Sequence, residues 1–233
     1  MKPSLYILPI LCAAMFCVNA RGQNSKYDTW EENYSVQALL GAIKYKDLEV
    51  VDSEGSGEPV AIDISAIPQL GGAWMTRPKR ERFQYGLECS FLLGFRLGEV
   101  NYASIGGNGL YVSISTTMWM FDLAGGGYAS LFLDQNEKFR IYAGAGPLMT
   151  YVDYRSDRDE TPDNGDPTES FTTNESAFGL GVYARTGFEF RVHQRGMLGL
   201  GVRGTWSNVD LTDISGSSEL VGTAVFATYT AGF

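Results

Sequence analysis

The sequence has few of the residues on which catalytic and metal-binding sites most often depend. Its 233 residues include one histidine and three cysteines, and 27 acidic residues outnumber 18 basic ones, for a formal net charge of −9. That balance argues against nucleic acid as a partner, because its phosphates would repel the protein. Phosphate-binding glycine loops, dinucleotide fingerprints and zinc-ligand spacings are also missing. We therefore predict no cofactor, no metal site, no catalytic residue and no enzymatic activity.

Long apolar runs are missing too, except at the beginning of the chain. Lys2 precedes an apolar segment, Leu5–Val18, which is interrupted by Pro9. A membrane-spanning helix needs about 20 apolar residues, so this shorter segment predicts a cleaved secretory signal peptide over residues 1–20, followed by a linker over residues 21–33.

The scarcity of cysteine limits how the mature chain can be stabilised. Cleavage after residue 20 would remove Cys12 and Cys17 and leave only Cys89. The secretory route is oxidising, yet a single cysteine forms no intramolecular disulfide. Packing and hydrogen bonding must then hold the fold together.

What the sequence does contain is an alternation of side chains, clearest between Phe83 and Leu97. Every second residue there is apolar, namely Phe83, Tyr85, Leu87, Cys89, Phe91, Leu93, Phe95 and Leu97. A period of two indicates a β-strand, because successive side chains point to opposite faces. A long strand with one wholly apolar face is typical of a membrane-spanning strand.

The pattern recurs along the chain and predicts eight strands, at residues 34–48, 60–77, 83–100, 110–133, 139–154, 176–192, 197–212 and 219–233. Three connections, at 78–82, 134–138 and 193–196, are short and charged, and the others are mostly longer. Short turns at one end and longer loops at the other indicate an eight-stranded antiparallel up-and-down transmembrane β-barrel over residues 34–233.

The most acidic part of the chain is the connection at residues 155–175. We expect a solvated, partly disordered loop there, as is common for such compositions. Binding of divalent cations by its carboxylates is the alternative.

Alternation alone leaves the direction of the apolar face open, because a soluble lipocalin-like barrel also alternates, with apolar residues inside. Glycines favour the membrane barrel. In the strand at 176–192 they share a face with Arg185 and Glu189, and Gly199 and Gly201 share a face with Arg203. The interior of an eight-stranded barrel is just wide enough for side chains to fill, so this mixed face is predicted to point inward and the apolar face toward lipid.

The inward-pointing charges form the candidate site. They are predicted to pair with one another and to plug the lumen, because unpaired buried charges are costly. A narrow polar conduit or gate is the alternative. The predicted members are Asp63, Glu88, Arg96, Asp122, Arg140, Arg185, Glu189, Arg191 and Arg203.

Aromatic residues near strand ends predict contacts with the membrane interface, where amphipathic rings form girdles. The predicted interface aromatics are Trp74, Trp119, Tyr151 and Trp206. The strand at 110–133 keeps its apolar parity only from Trp119 onward, so we expect it and its partner to extend beyond the bilayer. The single histidine, His193, falls in a short turn, which does not fit a lipid-hydrolysing site at the outer rim.

The last predicted strand ends in an aromatic residue, Phe233, with Tyr229 on the same face. This ending resembles the C-terminal signature of bacterial outer-membrane barrels, and the eight-strand plan resembles the small barrels of the OmpA, OmpX and OmpW kind. The resemblance implies a location in the outer membrane and insertion by the barrel assembly machinery, with Tyr229 and Phe233 as the assembly signal. It also implies contact with outer-membrane lipids and lipopolysaccharide, and a monomer.

The resemblance leaves three functional classes, in order of preference. The first is an integral outer-membrane barrel with a structural or surface-interaction role and a plugged lumen. The second is a narrow OmpW-like channel for small solutes, and the third is a lipid-modifying barrel enzyme.

Overall fold

The computed structural model describes residues 34–46, 48–52, 60–64, 66–76, 82–104, 110–162, 168–212 and 217–232. The predicted signal peptide, the linker and Phe233 lie outside these residues. Ten β-strands account for most of the described chain: β1 (Tyr34–Tyr45), β2 (Glu49–Asp52), β3 (Val60–Asp63), β4 (Ala66–Thr76), β5 (Phe83–Ser104), β6 (Leu110–Phe132), β7 (Phe139–Pro162), β8 (Glu169–His193), β9 (Gly196–Asn208) and β10 (Leu220–Gly232). A helix long and apolar enough to cross a membrane does not occur in the described ranges.

Eight of the strands close into one antiparallel barrel, in the order β1-β10-β9-β8-β7-β6-β5-β4. The ring closes at β1, where Ala38 is paired with Tyr229 of β10 on one side and with Gly72 of β4 on the other. Closure leaves no sheet edge within the ring, which is the condition for a sheet to cross lipid. The predicted eight-stranded antiparallel barrel is confirmed.

The first long connection holds an additional hairpin, in which β2 pairs with β3 and not with the barrel. The single strand predicted at 60–77 is therefore wrong, because its first residues belong to this hairpin and only β4 belongs to the ring. Asp63 pairs with Glu49 in the hairpin and is exposed. Its predicted place among the lumen charges is wrong for the same reason.

The strands β5 to β8 are longer than the rest and project beyond the ring. The β7–β8 ladder runs without interruption from Phe139 paired with Phe190 to Glu160 paired with Glu169. The solvated loop predicted at 155–175 is therefore wrong for its described residues. They alternate, with Asp157 and Asp159 facing outward and with Arg158 and Glu160 buried. β6 stays paired with β5 as far as Ser104 and Leu110, while the extension of these two strands beyond the bilayer stays a prediction.

The exterior of the ring is apolar, as predicted from the glycines that share the opposite face with charged residues. On β7 the outward residues are apolar from Phe139 to Tyr151, and the next outward residue is Asp153. The inward glycines lie against large polar side chains. A β-carbon at Gly144 would lie 2.5 Å from Oε1 of Glu88, and one at Gly187 would lie 2.5 Å from the Tyr142 hydroxyl.

Candidate functional site: the barrel interior

Glu189 is the centre of a buried polar cluster near the end of the barrel that carries the short turns. Its Oε2 accepts a hydrogen bond of 2.9 Å from Nε of Arg140 and forms an ion pair with Nη2 of the same residue. Its Oε1 accepts hydrogen bonds from Nε2 of Gln37 at 2.8 Å and from Oγ1 of Thr230 at 2.5 Å, and a longer one of 3.3 Å from Thr228. Both carboxylate oxygens are thus satisfied by side chains of four neighbouring positions.

A second buried pair, Arg185 and Glu88, continues the cluster. The guanidinium Nε lies 3.1 and 3.0 Å from the two carboxylate oxygens, and Nη2 lies 2.5 Å from Oε2. Nη1 donates to Oε1 of Gln37 at 2.5 Å, so Gln37 joins the two clusters. Tyr183 donates its hydroxyl proton to Glu88, and the Arg185 guanidinium stacks 5.3 Å from the centre of the Tyr142 ring.

A third pair, Arg203 and Asp122, lies farther along the interior and is less closely joined. Nη2 of Arg203 is 3.6 Å from Oδ2 of Asp122, and Thr150 donates to Oδ1 at 2.9 Å. Asp122 Oδ2 and both Nε and Nη2 of Arg203 lack hydrogen-bond partners among the described residues. Three buried arginines therefore face three buried carboxylates, so the network is balanced in charge.

An apolar layer occupies the interior toward the long-loop end. It belongs to one cluster of buried residues, which includes Ile43, Ile67, Leu92, Met118, Met120, Val152 and Phe226. The same cluster continues outward to Val112 and Ile114 of β6 and to residues that cap the barrel, namely Leu48, Ile62, Ile64, Val209 and Leu211. This layer was not predicted from the sequence, although the change of apolar parity at Val112 and Ile114 is its signal.

Little space remains between these layers. A cavity near Ser90, Tyr142 and Arg203 offers about 10 Å³ to the centre of a water molecule, which is room for about one water. Among the described residues, this cavity therefore has no room for anything larger than a water molecule.

Two further predicted lumen charges lie outside the network. Arg96 is partly exposed at the edge of β5, where it donates to the carbonyl oxygen of Ala66 at 3.3 Å. Arg191 pairs with Glu137 of the β6–β7 turn at 3.0 Å. Both predictions of a place in the network are wrong. Arg96 lies beyond the part of β5 that pairs with β4, and Arg191 lies near the end of β8, where Glu137 of the turn is a nearer partner.

Polar residues that sequence analysis did not single out complete the network. They are Gln37, Tyr142, Tyr183, Thr228 and Thr230. Their inward parity was readable from the alternation, but which of them meet across the interior depends on pairings between distant strands.

The four predicted interface aromatics all face outward and are 42–45% exposed. Trp119 is paired with Asp153, and Trp206 donates from Nε1 to Glu219 at 3.2 Å, so both lie where the exterior becomes charged. Tyr151 precedes that boundary on β7. Trp74 lies in the opposite half, stacked on Tyr34 with ring centres 5.5 Å apart. The girdle itself stays a prediction.

The remaining chemistry-bearing residues are dispersed. His193 is exposed at the end of β8, Cys89 is exposed on the lipid-facing side of β5, and Tyr229 faces outward on β10. Within the described ranges, groups of three or more histidine, cysteine or acidic residues able to hold a metal ion do not occur.

No protein-family model matches the chain, and no curated protein sequence matches it. Solved structures are similar to it. Ail of Yersinia pestis is 12% identical with a TM-score of 0.46, over 86% of this chain and 99% of Ail. The outer membrane protein OprG of Pseudomonas aeruginosa is 8% identical with a TM-score of 0.43, over 87% and 96%. Escherichia coli outer membrane protein W is 12% identical with a TM-score of 0.33, over 87% and 100%.

Proposed function

We propose that the protein is a sealed integral barrel of the bacterial outer membrane, with a structural or surface-interaction role. The observation that carries this proposal is the pair of interior layers, in which a charge-balanced polar network is followed by one cluster of buried apolar side chains. The two layers oppose solute passage in different ways, so both would have to rearrange before a pore formed.

The polar layer resists opening because its charged side chains form buried ion pairs with one another. Arg140 with Glu189 and Arg185 with Glu88 are buried pairs with additional hydrogen bonds. Removing one partner of such a pair leaves an uncompensated charge and typically costs about 3 to 5 kcal/mol. A hydrated pathway through this layer would separate groups that are mutually satisfied.

The apolar layer resists water directly, and the β2–β3 hairpin covers it. Ile62 and Ile64, in and just after β3, belong to the same cluster as Ile114 of the projecting sheet. The hairpin therefore acts as a cap on the long-loop end of the barrel.

The exterior supports the membrane location and the surface role. Its apolar belt has the character of a surface that contacts acyl chains, and the closed ring presents no free strand edge to them. Beyond Tyr151 the projecting sheet presents polar and charged side chains, including Arg155, Asp157 and Thr172. We assign the belt to outer-membrane lipids and the projection to surface contacts, including lipopolysaccharide, and we expect a monomer inserted by the barrel assembly machinery.

Solute uptake by proteoliposomes tests the proposal. Vesicles containing the purified protein are mixed with small neutral, anionic and cationic solutes, and swelling is followed by light scattering. A sealed barrel gives the swelling rate of protein-free vesicles for all three solutes. Size-dependent swelling would favour the narrow channel. An open porin in the same lipids serves as the positive control.

A further inference from the structure

The seam between β1 and β10 is the one place in the ring where the first and last described strands meet. Its ladder runs from Ser35 paired with Gly232 to Tyr45 paired with Gly222. All other neighbours in the ring follow one another along the chain as antiparallel pairs, with only the β2–β3 hairpin between β1 and β4. Closing the seam therefore carries the largest loop-closure entropy of any pairing in the barrel.

One side chain reaches both strands of this seam from inside. Glu189 lies on β8, two strands from β10 and three from β1 in the ring, and it bonds Thr230 at 2.5 Å and Gln37 at 2.8 Å through the same oxygen. The residues bonded to that oxygen are all buried.

Gly199 gives Glu189 its path across the intervening strand. This glycine of β9 is paired with Glu189 on one side and with Thr228 of β10 on the other. A β-carbon at position 199 would lie 2.5 Å from Cγ of Glu189 and would also meet the Phe188 carbonyl oxygen. The missing side chain thus lets the carboxylate pass over β9 to the seam.

Arg140 holds the carboxylate in place independently of the seam. It is the direct ladder partner of Glu189 in the β7–β8 hairpin and bonds Oε2, the oxygen that the seam residues do not use. Contacts within β7, β8 and β9 therefore direct Oε1 of Glu189 toward the seam without help from β1 or β10.

We infer that Glu189 is the closure residue of the barrel, a buried acceptor that ties the two terminal strands together through Gln37 and Thr230. This role goes beyond the proposed function, because closing the ring is a different event from filling its interior. The Glu189 carboxylate keeps the two strands of the seam close, although no direct connection along the chain joins them.

Amide hydrogen exchange of the refolded protein in detergent tests this role with two matched variants. Thr230→Val removes the hydroxyl that donates from β10 to Oε1 of Glu189 and keeps the shape of the side chain. Thr150→Val removes an equally buried hydroxyl that donates to Asp122, away from the seam. Loss of a hydrogen bond to a charged group should lower exchange protection about tenfold. For Thr230→Val we expect that loss in β1 and β10 with little change in the β5–β6 ladder.

Thr150→Val should leave the seam at wild-type protection. A Thr230→Val protein whose loss is spread evenly over the ring, or whose seam is unchanged, would overturn the inference. Ion conductance recorded on the same preparations tests the sealed interior separately. A conducting barrel with a selective seam loss would contradict the proposed function and leave the closure role standing.

A cross-link provides the second measurement. Leu40 and Ala227 are ladder partners that face outward across the seam. Paired antiparallel positions have Cα separations that suit a disulfide. In a Cys89→Ser background, oxidised Leu40→Cys/Ala227→Cys should restore seam protection to Thr230→Val, and the reduced form should not. Failure of the oxidised form to restore it would show that the defect lies elsewhere.

Discussion

Arg140 and Glu189 face each other across the β7–β8 ladder and are the most completely buried ion pair of the described barrel, with side chains 1% and 0% exposed. Glu189→Gln keeps the shape of the side chain but leaves the Arg140 guanidinium without its counter-charge. We expect a loss of about 3 to 5 kcal/mol in the free energy of unfolding, as for other buried pairs broken from one side. Urea or guanidinium titration of the detergent-refolded protein measures it.

The matched control is Asp157→Asn, which breaks an ion pair with Arg155 on the solvated face of the projecting sheet. Exposed pairs contribute about 1 kcal/mol or less, so this variant should unfold close to wild type. Equal effects of the two substitutions would mean that Glu189 is surrounded by water and that the interior is not filled.

Two glycines of β9 offer a second test of the packed interior. Gly199→Ala places a methyl group against Glu189 and the Phe188 carbonyl oxygen, whereas a β-carbon at the outward-facing Gly204 meets nothing within 4 Å. Overpacking a filled site typically costs about 1 to 3 kcal/mol, and a surface change about 0.5 kcal/mol or less. Gly199→Ala should therefore unfold at clearly lower denaturant concentration than Gly204→Ala. A lower denaturant midpoint for Gly204→Ala than for Gly199→Ala would contradict the assignment of Gly199 to the interior and Gly204 to the exterior.

Sequence analysis predicted the eight-strand ring and its apolar exterior because both depend on local alternation and on turn lengths. The same parity assigned Glu88, Asp122, Arg140, Arg185, Glu189 and Arg203 to the inward face, and all six are buried in the structure. Their actual partners were not predictable from the parity. Gln37 and Thr230 meet Glu189 only because β1 and β10 close on each other, and that pairing joins residues far apart in sequence.

The cap was missed for a related reason. Val60 and Ile62 share one parity and Asp63 has the other, which fits a barrel strand, and only the pairing of these residues with β2 removes them from the ring. Likewise, the acidic composition of residues 155–162 indicated a loop, while the alternation of Arg158 and Glu160 with Asp157 and Asp159 indicated a strand. The strand interpretation is the right one, because the β7–β8 ladder pairs these residues without interruption.

The β6–β7 turn gives a prediction about pH. Asp134 accepts hydrogen bonds from the backbone N–H groups of Phe139 and Lys138, at 2.9 and 2.7 Å. These bonds, that from Phe139 above all, hold the pKa of the Asp134 carboxyl below its usual value of 3.8. A lowered pKa in the folded state stabilises the protein above the unfolded-state pKa, and this stabilisation is lost as the pH falls through the folded-state pKa.

Asp134→Asn should remove that contribution. The difference in unfolding midpoint between wild type and the variant should be constant near neutral pH and shrink as the pH falls below about 4. Titrations at several pH values measure it. A difference that grows on acidification would mean that Asp134 does not accept these bonds as a carboxylate.

The loosely joined pair of Asp122 and Arg203 predicts bound water. Their closest atoms are 3.6 Å apart, and Asp122 Oδ2 and Arg203 Nε have no hydrogen-bond partners among the described residues. Buried polar groups in this situation are normally bridged by ordered water. A crystal structure at high resolution should show at least one water between them. Direct contact without water would contradict this prediction.

The central claim is that the barrel is sealed, and planar-bilayer recording of the purified wild-type protein tests it most directly, because ions are the smallest solutes that a pore would pass. A sealed barrel predicts no current steps above the bare-bilayer baseline at either polarity. Glu189→Gln should remain silent as well, since the apolar layer and the β2–β3 cap do not depend on that residue. Reproducible, protein-dependent conductance steps in the wild type would contradict the sealed barrel and favour a channel.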